Sequence, residues 1–163
     1  GLNKAIFNTG LYDRIEVDVM DLLVFHPTYD IYFTGHSQGG AYALLSAPML
    51  ALSNPSSNIT VLNFGQPRCT KQKFKDWSRA ILNLAVWNFV LRNDPVPRSP
   101  KTVRGYRHSG HLIQMQDDGS TLYYLYDSGD KNYSSIPTNW EGKRLFALEN
   151  VPFFRTIHEQ RLS

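Results

Sequence analysis

Cysteine is almost absent from these 163 residues, Cys69 being the only one. An internal disulfide is therefore impossible, and a cysteine-rich zinc cluster is excluded. One lone thiol leans towards a reducing compartment, but many secreted domains also lack disulfides, so cytoplasmic and secreted locations both stay open. Long apolar runs are lacking as well. The longest, 41–52, is broken by Ser46 and Pro48 and is too short to span a bilayer. The formal charge of +3 is too small to argue for nucleic acid as a partner. A slight basic excess is compatible with an anionic lipid surface, although such an excess is usually just solvated surface. The chain opens on Gly1 with neither an initiator methionine nor a basic-then-apolar leader, which predicts a processed protein, an excised domain or a truncated product.

No repeat, low-complexity tract or linker divides the sequence, so a single domain over 1–163 is expected. Across about 9–24, Leu11, Ile15, Val19, Leu22 and Leu23 recur at helical spacing, with acidic residues filling the other face, until His26-Pro27 breaks the helix. Ile31-Tyr32-Phe33 suits a strand buried on both faces. Residues 39–52 are apolar nearly all round, as in a helix buried against a sheet, and Pro48 should bend or end it. A strand over 59–64, a helix over 71–82 with Phe74, Trp77 and Ile81 inward, and a strand over 86–91 follow. This alternation is the signature of a parallel sheet with right-handed crossovers. Segments 111–116 and 121–126 flank Asp117-Asp118-Gly119-Ser120, a strong hairpin signal, and 127–163 reads as loop-rich. An α/β core with a C-terminal antiparallel hairpin is predicted.

Chemistry concentrates in Gly35-His36-Ser37-Gln38-Gly39-Gly40. A serine hydroxyl is a poor nucleophile until it is exposed, oriented and deprotonated by a base. A sharp strand-to-helix turn does the exposing, and glycines two before and two after the serine would relieve crowding there. The helix that opens after the turn aims its amino end at the site, where the Gln38 N–H can serve an oxyanion. The bare pattern is only moderately specific; its position after an apolar strand and before an apolar helix is the stronger signal. A serine that merely caps the helix and a phosphate loop are the competing readings. The spacing fits neither of the glycine-rich phosphate patterns, and no lysine follows.

In α/β-hydrolases the order is Ser, then Asp or Glu, then His. Asp94 directly follows the third strand, which places it on the same rim as the nucleophile turn, in a loop stiffened by Pro95 and Pro97. An Asn-Asp-Pro turn bonded only to nearby backbone is the plainer alternative. Asp76 lies on a helix, and Asp117 and Asp118 sit at a hairpin tip, which makes all three poorer. Among five histidines, His26 precedes the serine, His36 abuts it and is expected to point elsewhere, and His108 and His111 precede or open the hairpin. Order and reach favour His158 as the base over a surface histidine in a frayed tail.

Together these pieces resemble the fungal-type (class 3) lipase family of the α/β-hydrolase superfamily. The resemblance runs from Ile6 to Tyr12, through Tyr29 to Leu45 around the nucleophile turn. It continues over Asn63-Phe64-Gly65-Gln66-Pro67-Arg68, Asn93-Asp94-Pro95-Val96-Pro97-Arg98, and Gly105-Tyr106-Arg107-His108-Ser109-Gly110, the last usually structural in the family. It implies Ser37, Asp94 and His158 as the triad, Gln38 as an oxyanion-hole donor, and glycerolipids as the substrate class. The family usually has leucine at Gln38, and an acid and a tyrosine where Ile157 and Arg161 stand. Members also begin well before the equivalent of Ile6. A strand ending in Arg-Gly-Thr or Arg-Gly-Ser supplies a second oxyanion donor there, and a lid follows it. This chain holds neither, so a fragment lacking the fold's N-terminal strands, or a degenerate member of little activity, is expected.

The leading functional expectation is a lipid ester hydrolase working through an acyl-enzyme, needing no metal or organic cofactor and meeting its substrate by transient contact with a membrane or lipid droplet. A catalytically silent hydrolase fold that binds a lipid or a protein is the alternative.

Overall fold

The computed structural model describes residues 1–91 and 94–115, together with the backbone of short strands at 123–126 and 143–145. Six strands form one sheet in the order β1 (Ile31–His36), β2 (Ile59–Phe64), β4 (Leu84–Leu91), β6 (His111–Met115), β7 (Tyr123–Tyr126) and β8 (Lys143–Leu145). The first four run parallel, and the last two turn the sheet antiparallel. A separate two-stranded antiparallel ribbon joins β3 (Thr70–Lys71) to β5 (Tyr106–Arg107). The parallel core and the antiparallel pairing of 112–115 with 123–126 agree with the sequence pattern; the tip residues of that hairpin lie outside the described residues.

Helix α3 (Gln38–Ser53) returns along the sheet because nearly its whole circumference is apolar. Leu44, Ala47, Leu50 and Ala51 interlock with Ile59, Val61 and Val86, and Ile31 and Phe33 pack at the margin of this core. Each fully buried aliphatic side chain of this kind stabilises the fold by roughly 1.5–3 kcal/mol. Pro48 does not end the helix, which continues to Ser53. Buried against the sheet, the proline forfeits one backbone bond that tertiary packing replaces. The helix stops at Ser53, where the Asn83 amide donates to the carbonyls of Ala51, Asn54 and Ser57 at 3.0, 3.2 and 3.0 Å.

Several inward faces differ from those the periodicity predicts. The helix predicted over about 9–24 is α2 (Leu11–Phe25), and a short α1 (Leu2–Phe7) precedes it, the two separated at Gly10, whose φ is 71°. Ile6 and Tyr12 carry the burial there, while Leu22 is 61% exposed and Leu11 also reaches solvent. Strand β1 is not buried on both faces. It ends the strand order, and burial alternates along it, Tyr32 being 51% exposed, because α3 covers only the face bearing Ile31 and Phe33. Helix α4 (Gln72–Arg79) buries Lys75 and Ser78 rather than Trp77, and Ile81 is buried just beyond its end. Among the described residues no helix is long and apolar enough to cross a membrane.

The packing sets a contrast between two leucines. Leu44 is fully buried in the core, so Leu44→Ala is expected to lower unfolding free energy by about 2–5 kcal/mol. At exposed Leu22 the same change should stay within about 0.5 kcal/mol. Urea melts of the two variants test the assignment of faces, and equal losses would contradict it.

Candidate active site

Strand β1 delivers the chain to Ser37, and α3 begins at the next residue, so the backbone must reverse over one position. Ser37 absorbs the reversal with φ 53° and ψ −121°, the one positive φ outside glycine among the described residues. Such a conformation costs of order 1–3 kcal/mol and persists only where its surroundings over-determine it. They do so here by close packing. A Cβ on Gly35 would stand 2.3 Å from the Gly39 carbonyl carbon and 2.5 Å from the Gly40 nitrogen, so strand and helix nearly touch. A Cβ on Gly40 would meet the Gly35 oxygen at 3.0 Å and Asn63 Oδ1 at 3.2 Å. The sequence pattern places the crowding on Gly35 and Gly39. The structure moves it to Gly35 and Gly40, because Gly39 faces open space.

The Ser37 N–H donates to the Phe64 carbonyl at 2.9 Å, and the Gly65 N–H donates to the Phe89 carbonyl at 2.9 Å. These bonds extend the β1–β2 and β2–β4 ladders past the last strand residues and tie three strand ends into one rim. Gln38 heads α3, where backbone N–H groups lack intrahelical partners. Its side chain turns along the helix to the Tyr42 hydroxyl, leaving the backbone at the turn uncovered by that side chain.

Asp94 lies beyond the end of β4, two strands across from Ser37, with β2 between them. One carboxylate oxygen, Oδ1, accepts the Val96 N–H at 2.9 Å, so the turn reading of this aspartate holds for that oxygen. The other oxygen faces Gly65. A Cβ on Gly65, whose φ is +58°, would stand 3.0 Å from Asp94 Oδ2 and 3.6 Å from His36 Nε2. The imidazole of His36 therefore stands beside Gly65, on the side of the Asp94 carboxylate. Gly65, the glycine that closes β2, is thus a position where a side chain would crowd the Asp94 carboxylate, which the sequence pattern does not single out.

Ser37, Gln38 and Asp94 thus share the carboxyl-end rim, whereas His158 lies outside the described residues. The remaining histidines occupy other places. His26 ends α2 and stacks on Tyr29 with centroids 4.4 Å apart. His111 starts β6, at the opposite end of the parallel strands, stacked on Trp87 at 4.7 Å. His108 is fully buried with Nε2 2.8 Å from the Pro97 carbonyl, so that nitrogen carries the proton and donates. Burial pushes its imidazole down to about 4, helped by the charges of Arg68 and Lys75 and opposed by the Pro97 bond. Burial likewise pushes the Cys69 thiol up to about 11, which keeps it protonated and inert at neutral pH.

The turn yields a paired prediction. Gly35→Ala forces a methyl into backbone and should destabilise by about 3 kcal/mol or more, while Gly39→Ala, on the first helical turn with free space, should gain up to about 1 kcal/mol. Thermal melts that rank the two alanines the other way would refute the geometry. The buried imidazole yields another. An unfolded chain takes a proton at His108 below its ordinary value of 6.5, while the folded one resists until about 4. Stability from this group is therefore complete above pH 6.5 and declines by about 3 kcal/mol as pH falls towards 4. A His108→Gln variant should lose less stability over that interval, and an unchanged pH slope would count against a neutral buried ring.

Known proteins fit this geometry. The family model for lipase (class 3) matches residues 3–104. A Caenorhabditis elegans lipase is 36% identical over 110 residues, covering 64% of this chain and 30% of that protein. The crystal structure of a lipase from Rhizopus microsporus var. chinensis superposes with a TM-score of 0.70 at 26% identity, over 80% of this chain and 46% of the other. A triacylglycerol lipase whose catalytic centre is formed by a serine protease triad matches with a TM-score of 0.60 at 27% identity, covering 64% of this chain and 40% of the other. The chain thus spans less than half the length of each of these relatives. With more than half its residues matched by the family model, a mostly parallel sheet and a strained serine turn at its rim, the chain belongs to the class 3 lipase family.

Proposed function

We propose that this chain carries the nucleophile and acid of a serine hydrolase that cleaves carboxylic esters of lipids. The observation that carries the reading is the strained Ser37 turn and the Asp94 carboxylate on a shared rim, with only β2 between their strands. The family's lipases, a triacylglycerol lipase among the structural relatives, support a glycerolipid ester as the substrate class.

In the proposed reaction the Ser37 hydroxyl attacks the ester carbonyl carbon while His158 takes its proton. The Asp94 carboxylate holds the imidazole in the productive tautomer and stabilises its positive charge. The Gln38 N–H donates to the oxyanion at the head of α3, where the partial positive charge of the helix terminus adds to it. Collapse of the tetrahedral intermediate releases the alcohol, which leaves with the proton from His158. Water then repeats the sequence on the acyl-enzyme and frees the fatty acid. No step calls for a metal or an organic cofactor. Substrate reaches the rim by transient contact with a lipid surface.

A fluorophosphonate probe applied to the full-length protein should label it, and Ser37→Ala should abolish the label. Asp94→Asn should lower kcat on a short-chain glyceride by about 10⁴-fold, because the asparagine supports the wrong imidazole tautomer. A folded full-length protein that neither reacts with the probe nor turns over any glyceride would end this reading.

A further inference from the structure

We propose that Arg68 is a positioning residue for Asp94, fixing the acid loop to the segment that follows β2 and thereby setting where the carboxylate stands relative to Ser37. This rests on the hydrolase reading above and assigns a task to a residue outside the reacting groups.

The loop that carries Asp94 leaves no carbonyl without a donor. Every carbonyl from 94 to 100 accepts a hydrogen bond. Three bonds come from within: Arg98 Nε to Asp94 at 3.3 Å, Arg98 N to Pro95 at 3.1 Å and Ser99 N to Val96 at 3.0 Å. Four come from outside. His108 supplies one, at Pro97. Arg68 supplies the other three: its backbone N–H reaches Ser99 at 2.8 Å, and one guanidinium nitrogen bonds both Arg98 and Pro100, the latter at 3.1 Å. Two prolines at 95 and 97 already narrow the backbone of this loop. Without external anchors, however, it could still swing as a unit.

What Arg68 is attached to gives these bonds their consequence. It stands four residues beyond Phe64, whose carbonyl takes the Ser37 N–H, and three beyond Gly65, whose N–H goes to Phe89. Between them, Gln66 is bonded to buried Asn63 of β2. A short run of chain thus holds the nucleophile turn at one end and the acid loop at the other. Arg68 is only 4% exposed, so its bonds form in a medium where water competes little. Burying a cation among carbonyls is costly, and a stable fold could have used an apolar side chain there. The planar guanidinium suits the task because one group can bridge two carbonyls at a fixed separation, which the single ammonium of lysine does less well.

The test uses the full-length protein. Arg68→Ala should lower kcat by about 100-fold with KM within about twofold, the size expected of a displacement near 1 Å in a reacting constellation. Arg68→Lys should lie between the variant and wild type, and added methylguanidinium should restore about tenfold of the lost kcat to Arg68→Ala. A purely structural arginine would lower the melting temperature without that split between kcat and KM and without rescue. A folded variant with kcat within twofold of wild type, or no rescue, overturns the proposal. If Arg68→Ala does not fold, Arg68→Lys decides, and failure of both to fold assigns the residue to stability and overturns it as well. Wild type that shows no Ser37-dependent labelling means that the hydrolase reading itself has failed; labelled wild type beside unaffected variants isolates the failure to Arg68.

Discussion

The backbone at Ser37 is the constraint on which the rest of this structure is arranged. A chain that leaves a strand and enters a helix within one residue needs a conformation that L-amino acids resist, and here a serine rather than a glycine adopts it. The conformation is held because Gly35 and Gly40 let strand and helix approach within contact distance and because the Ser37 N–H is captured by β2. The apolar circumference of α3 supplies the larger force. Its burial against β1, β2 and β4 anchors the helix so firmly that the turn must comply.

Strand β2 then acts as the spacer of the site. It lies between the strands that end in the Ser37 turn and the Asp94 loop, and the segment after it touches both. Gly65 keeps the gap clear for the Asp94 carboxylate and the His36 ring, and Arg68 holds the acid loop by three of its carbonyls. Fully buried Asn63 and Asn88 face each other across the register of β2 and β4. Their amides bond Gln66 on one side and the Ser109 and His111 carbonyls on the other. Polar groups so deep are tolerated only when their donors are engaged, which ties the geometry of the rim to the interior of the sheet.

Strands were legible because short apolar runs closed by glycine or proline have few alternatives. The spans 31–33, 59–64 and 86–91 all fall within observed strands. Helix faces were harder to read. Leucines at helical spacing in α2 point partly to solvent, since the helix leans on the fold through Tyr12, with Val19 partly buried, rather than along a continuous stripe. Trp77 stays exposed while Lys75 and Ser78 of α4 are buried, and Ile81 enters the core only beyond the helix end. Periodicity identifies which residues share a face, but not whether anything covers that face.

Taken alone, the sequence determined the candidate nucleophile, the candidate acid and the parallel core. A serine between glycines after an apolar strand, and an aspartate closing the second predicted strand after it, are local facts of spacing and chain order. Only the tertiary structure decided that β1 lies at one end of the strand order with a single face covered, that the crowding falls on Gly40 rather than Gly39, that His36 stands beside Gly65, and that Arg68 and His108 grip the acid loop from afar. Each depends on contacts between residues distant in the chain. Such contacts are set by how closely the elements pack, and spacing along a sequence does not carry that information.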